Sequence, residues 1–381
     1  MTLKIDGLPL EQLRKRKSEK WRHYTADILP LPVAEMDFEI AQQVRDVLGE
    51  MLRTSDTGYL GDIPELKDNF AKFAKSRWDW DLVDAQLYTA ADVGVAIVEF
   101  CRTYLKPGDG IVFNTPVYHN FLNWINELKA TPVDVPLKKN GMEYSLDLDG
   151  IEAAYKNGAK AHFLCSPHNP VGAVFSKSDL AKIAELAKKY GVVIMSDEIH
   201  APLTYSESKF VPFLAASDIA KEVGVCITAA SKSWNLAGLK CAFIITESPQ
   251  MDELAKKMPA AVHYRASLFG AIGAATAFTA TDWLDAVLVT LDRNRKFLKS
   301  QLDAKLPQVG YRIPNCTYLA WLDMSALNLG ENPAENLLSK GKVAFGPGIN
   351  FGPQSGQFIR LNFGTSEAII EEAIDRIVKA L

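Results

Sequence analysis

Cysteine is scarce and unpatterned in this sequence. The five residues Cys101, Cys165, Cys226, Cys241 and Cys316 are odd in number and form no CxxC pair. That argues against a disulfide scaffold or a thiolate metal site. Several lie in apolar, strand-like runs, which predicts reduced core residues of a cytoplasmic protein. No charge sign dominates either: 42 basic residues stand against 46 acidic ones, a net charge of −4. The basic excess that marks a nucleic-acid binder is missing. So are long apolar runs. The stretch Ala266–Ala280 falls short of the roughly 20 residues a membrane-spanning helix needs, so no membrane partner is expected. Met1–Trp21 is polar and charged, without the apolar stretch of a signal peptide. There is no internal repeat, low-complexity tract or Ser/Gly linker. What remains is an ordinary globular composition, 48% hydrophobic and 23% charged over 381 residues, a length that suits two domains or a large one with a smaller one attached.

From about residue 87 short β-rich runs alternate with amphipathic helical stretches. Leu87–Ala90, Ile111–Phe113, Ala161–Cys165, Val192–Met195, Val225–Thr228 and Cys241–Thr246 read as strands, and continuous apolar character predicts strands covered on both faces. Helices are expected at Val95–Leu105, Tyr118–Leu128 and Lys177–Tyr190. In the last, Leu180, Ile183, Ala184 and Ala187 share one face and Gly191 supplies a C-cap. This alternation predicts an α/β unit with a mainly parallel sheet. After residue 282 the texture changes to a long charged helix (Trp283–Leu306), strands near Tyr318–Leu322 and Phe358–Leu361, and a final helix at Ser366–Leu381. A smaller α+β domain follows from that. The division expected is residues 1–52 packing with the small domain, including a helix near Ala41–Leu52, then 53–285 as the large domain and 286–381 as the small one.

Ligands of open α/β sheets bind beyond the carboxyl ends of the strands. Four loops after predicted strands carry unusual residues there. Lys232 follows Val225–Thr228 among small and polar residues, either as a solvated surface lysine or as a desolvated amine able to form a Schiff base. Asp197, just beyond Val192–Met195, suits an N-cap or a carboxylate that pairs with a ring nitrogen. Asn169, between His168 and Pro170, is a turn former or an amide donor to a ligand. Asp92-Val93-Gly94 opens a helix, whose free N–H groups and positive dipole end suit a phosphate. Tyr118 is a core aromatic or a ring that stacks on a planar group. Arg360, inside the apolar run 358–363, needs an anionic partner, either a structural carboxylate or that of a substrate.

In this order the segments LPLPVAEMDF, TGYLGD, CSPHNPVG, SDEIHAPL, SKSWNLAGLKCA and IRLNFGTS resemble those of the fold-type I pyridoxal-phosphate enzymes of the class I/II aminotransferase superfamily. Within it they are most similar to the bacterial cystathionine β-lyase, or C–S β-lyase, subgroup. The resemblance covers nearly the whole chain. It implies a large domain with a seven-stranded, mainly parallel sheet between helices, pyridoxal 5'-phosphate as cofactor, and β-elimination from an L-cysteine thioether, with amino-acid transamination as the alternative. It also implies roles. Lys232 holds the cofactor and acts as base, Asp197 meets the pyridinium nitrogen, Asn169 the ring oxygen, with His200 on the same side, and Tyr118 stacks on the ring near the leaving sulfur. Val93, Gly94, Ser231 and Lys240 are phosphate contacts. Arg360, Asn169 and Asp37 face the substrate. Tyr59 reaches the phosphate of a neighbouring subunit, so a homodimer with shared sites is expected. Three positions depart from the pattern: Asp92 stands where relatives often have glycine, Ala229 where many carry a hydroxyl, and Pro32 where the subgroup commonly has tryptophan.

Overall fold

A computed structural model describes residues 3–381. Its centre is a seven-stranded sheet built from β1 (Gln86–Ala90), β2 (Gly110–Phe113), β3 (Thr131–Asp134), β4 (Ala161–Cys165), β5 (Val193–Asp197), β6 (Gly224–Thr228) and β7 (Ala242–Thr246). The spatial order is β1-β7-β6-β5-β4-β2-β3. From β6 through to β3 neighbouring strands run parallel, while β7 is antiparallel to both β6 and β1. Every residue of β4, β6 and β7 is buried, as expected of strands with helices on both faces. At the edge β3 is mostly exposed and carries Pro132, which an edge strand tolerates.

The helix Lys177–Tyr190 forms over the expected residues. Ser176 caps it by accepting from the Asp179 N–H, and Gly191 ends it at φ 69° in the left-handed region that glycine enters without strain. It buries Leu180, Ile183 and Leu186, each worth about 1.5–3 kcal/mol when fully removed from water. The long helix runs over Thr281–Lys305 and the last over Glu367–Ala380, capped by Ser366. Between them lies a second, antiparallel sheet in which β8 (Gly310–Tyr311), β9 (Leu319–Asp323), β11 (Phe358–Asn362) and β10 (Gly346–Pro347) are neighbours in that order.

The N-terminal segment straddles the molecule. Leu29–Pro30 pairs with Val343–Ala344, beside the small sheet. Gly7 packs so closely on Ser366 that no side chain would fit there. The helix Gln42–Arg53, expected to accompany the small sheet as well, instead packs on Leu268–Ala277 near the large one, with Leu48 against Gly273. Its apolar residues find their complement there because the Gly- and Ala-rich face of Leu268–Ala277 allows close approach.

Candidate active site

Parallel strands deliver their C-terminal ends to one edge of the sheet, and a cavity of about 840 Å³ opens there. Asp197 is the last residue of β5, Asn169 lies four residues beyond β4, and Lys232 four beyond β6. All three line the cavity, together with Tyr118, His200, Val93, Gly94, Ser231, Lys240, Ala229 and Arg360. Residues spread over more than 260 positions of sequence thus converge because each follows a strand or sits within one.

Asp197 is buried, and its Oδ1 accepts from the Ile199 N–H at 3.2 Å. Burial pushes its carboxyl up to about 7, against the pull of Ile199 and the Lys232 charge. Lys232 donates to the Ala34 carbonyl at 3.2 Å. Burial, and next the positive charge of Arg360, bring its amine down to about 8. A lysine at that value holds a substantial neutral fraction near physiological pH, as Schiff-base chemistry requires. His200 shares a hydrogen bond with Thr317 at 3.2 Å and is driven down to about 3 by burial, then by Lys232 and Arg360, so its imidazole is neutral.

Arg360, in the middle of β11, enters the cavity from the small sheet. Its Nη1 donates to Asn169 Oδ1 at 3.2 Å and its Nη2 to the Pro32 carbonyl at 2.7 Å, while Nε is buried without a partner. The guanidinium carbon lies 4.9 Å from the centre of the Phe351 ring. Burial lowers its ionisation to about 10, and the groups that oppose this are the phenols Tyr118 and Tyr318, not carboxylates. A buried guanidinium with an idle N–H and no carboxylate beside it is a receptor for an anion from outside.

The helix Val93–Cys101 brings its N-terminus to the cavity. Asp92 caps it by accepting from the Val95 N–H at 2.9 Å and pairs with Lys240 at 3.2 Å. The N–H groups of Val93 and Gly94 are in the first turn of that helix and are free of α-helical partners by position. The site therefore offers a corner with free helix N–H groups and Lys240, a buried carboxylate, and a guanidinium without an acidic partner. Those complement the phosphate, the pyridinium nitrogen and the substrate carboxylate of pyridoxal 5'-phosphate chemistry, and the cavity volume suffices for them. The residues present fit the group.

Asp37 does not join them. Its carboxylate is fully buried, held by Lys20 Nζ at 2.7 Å and by the Trp21 indole N–H at 2.9 Å, and it does not line the cavity. The expected role toward substrate is corrected to an internal ion pair. What its segment presents to the cavity is Pro32, Val33 and Ala34, through the Pro32 and Ala34 carbonyls. Asn362 and Asn235 fix that segment by bonding the backbone of Val33, Glu35 and Met36. Tyr59 is 94% exposed and lies outside this chain's cavity. Tyr24, Trp124 and Phe351 line the site without having been singled out in the sequence; nothing local marks them, since each reaches the cavity through tertiary packing.

The chain matches the family described as Aminotransferase class I and II over residues 26–377. A Mycobacterium tuberculosis protein with a provisional cystathionine β-lyase name is 38% identical, over 99% of this chain and 98% of its own. The cystathionine β-lyase of Corynebacterium glutamicum is 32% identical over 98% and 99%. Among solved structures, cystalysin of Treponema denticola, which contains pyridoxal 5'-phosphate, superposes with a TM-score of 0.89 at 28% identity, covering 96% of each chain.

Proposed function

The chain belongs to the aminotransferase class I and II family, and from that premise we propose that it is a pyridoxal 5'-phosphate-dependent carbon–sulfur β-lyase. It cleaves L-cystathionine or a related S-conjugate of L-cysteine, taking up one water and releasing a thiol, pyruvate and ammonia. The observation that carries this is the unpaired, buried Arg360 in one cavity with Lys232 and Asp197: a carboxylate receptor, an amine of lowered basicity and a buried carboxylate are what an α-amino acid substrate and this cofactor require together. The relatives named cystathionine β-lyase, aligned end to end, favour the lyase over an aminotransferase, which would use the same residues.

The cofactor, when bound, supplies an electron sink for the pair left when the Cα–H bond breaks. The rest is the chain's work. Asp197 retains a proton on the ring nitrogen by meeting it with a negative charge. Arg360 grips the substrate carboxylate with its idle Nε and one Nη, and Asn169, already bonded to Arg360, keeps the guanidinium in plane. With carboxylate and amine both held, the Cα–H bond is directed at Lys232, whose neutral amine removes that proton. Tyr118, held by the Asn120 amide at 2.6 Å, covers the ring face. A homodimer in which Tyr59 enters the neighbouring subunit's site suits that residue's exposure, and the five buried, unpaired cysteines suit a cytoplasmic protein. The test is incubation with L-cystathionine, without a keto acid, while assaying pyruvate and thiol. Equal release of both is expected; turnover that appears only on adding a keto acid would make the chain an aminotransferase.

A further inference from the structure

Trp124 stands on the helix Asn120–Glu127, whose buried residues are Phe121 and Ile125. Its own ring packs on Phe121, centroids 5.2 Å apart, and is partly buried. It lies edge-on to Tyr118, with centroids 6.1 Å apart and planes at 73°, and lines the cavity. The indole nitrogen also presses on Gly94: a Cβ at that position would be 2.6 Å from Nε1. In an α-helix the Cα–Cβ bond tilts toward the N-terminus. The Cβ place of Gly94, the second residue of its helix, therefore leans toward the N-terminal side, and the indole edge lies against it. Glycine at 94 is what admits the indole there.

The indole N–H is idle. Five of the seven tryptophans donate theirs to a carboxylate, carbonyl or hydroxyl of the chain; among the described residues Trp124 has no such acceptor. In the same corner two further groups are already committed or lacking. Asp92 takes the Val95 N–H and shares Lys240, and Ala229, lining the cavity, has no hydroxyl to give. A phosphate monoester there, with its dense acceptor oxygens, would meet the indole N–H as a donor beside the free N–H groups of the helix. We propose that the Trp124 indole N–H donates to the cofactor phosphate and stands in for the hydroxyl absent at position 229. This rests on the reading that the cavity takes pyridoxal 5'-phosphate.

Trp124→Phe keeps a ring beside Tyr118 and removes the N–H donor; the non-phosphorylated ligand controls for the packing lost with the smaller ring. Cofactor-free wild type and variant are titrated with pyridoxal 5'-phosphate and, separately, with pyridoxal, following absorbance, and the bound phosphate is observed by phosphorus NMR. The variant should bind pyridoxal 5'-phosphate about ten- to a hundredfold more weakly, the range of a hydrogen bond to a charged group, bind pyridoxal as wild type does, and show a displaced phosphorus resonance. Equal affinity of both proteins for the phosphorylated ligand overturns the proposal, as does an equal loss for both ligands, which would make Trp124 a packing residue for the ring. If Trp124→Phe does not fold, Gly94→Ala, which displaces the indole without deleting it, must give the same phosphate-selective loss or the proposal fails. Wild type that takes up neither ligand sinks the functional reading itself, an outcome distinct from the others.

Discussion

Asp197 and Lys232 both pay, in folding free energy, for where they sit. An aspartate ionises near 4 in an unfolded chain and at about 7 in this cavity, so raising the pH from 4 to 7 ionises the unfolded chain first and drains stability from the folded one. Above 7 the full penalty is present; below 4 there is none. Asp197→Asn removes it. Urea unfolding of the cofactor-free protein should show the variant equal to wild type near pH 4, then gaining through pH 7 to a plateau of roughly 2–4 kcal/mol, while cofactor affinity falls. A variant that loses stability at pH 8 would contradict the idea that the carboxylate is held there against its solvation. Arg360 is argued from the same kind of imbalance. Arg360→Ala should reduce kcat/KM for L-cystathionine by about 100- to 1000-fold, the cost of truncating one side of a buried charge pair, with cofactor absorbance retained. An S-alkyl cysteamine, which has no carboxylate, should discriminate the two proteins hardly at all; if both substrates suffer alike, or the variant simply unfolds, Arg360 is structural.

At the level of elements, the N-terminal segment makes one wall of the site by an ion pair that does no chemistry. Lys20 and Asp37 are both fully buried and 2.7 Å apart, with the Trp21 N–H on the second carboxylate oxygen. Removing Lys20 leaves the buried Asp37 carboxylate with only the partly exposed Arg16, 4.0 Å away, so Lys20→Met should destabilise the protein by about 3 kcal/mol in a denaturant titration, while kcat/KM of the folded fraction stays within about twofold of wild type, because Asp37 is behind the wall and not on it. This pair also marks where sequence reading stops. The helix Lys177–Tyr190 and the strand Ala161–Cys165 were legible to the residue, since an apolar stripe with a glycine stop and a continuous apolar run are local signals. So were the positions of Asp197 at a strand end, Arg360 within a strand, and Asn169 and Lys232 each four residues past one. The antiparallel direction of β7 was not, because an apolar run has no sense of direction, and β3 escaped because its residues are exposed and include Pro132. Asp37 was misassigned because its partner, Lys20, lies seventeen residues away, across a turn of chain that no periodicity encodes.

For the whole molecule the proposal to test is that Tyr59 serves the site of a neighbouring subunit. Tyr59 is 94% exposed within Thr54–Ile63, a stretch without helix or strand, and Leu52 just before it is also exposed. An exposed aromatic side chain next to an exposed leucine is apolar surface that a second copy would cover. If Tyr59 completes the neighbour's site, then Tyr59→Phe and Lys232→Ala damage different halves of one active centre. Homodimers of either variant should be nearly inactive. Denatured together in equal amounts and refolded, half the dimers are mixed, and each mixed dimer contains one site with an intact lysine from one chain and an intact tyrosine from the other. Activity should therefore return to roughly a quarter of wild type, and it should fall away when either variant is refolded alone. Recovery that never exceeds the sum of the separate variants would mean that each chain builds its site alone, and the exposed loop would need another explanation.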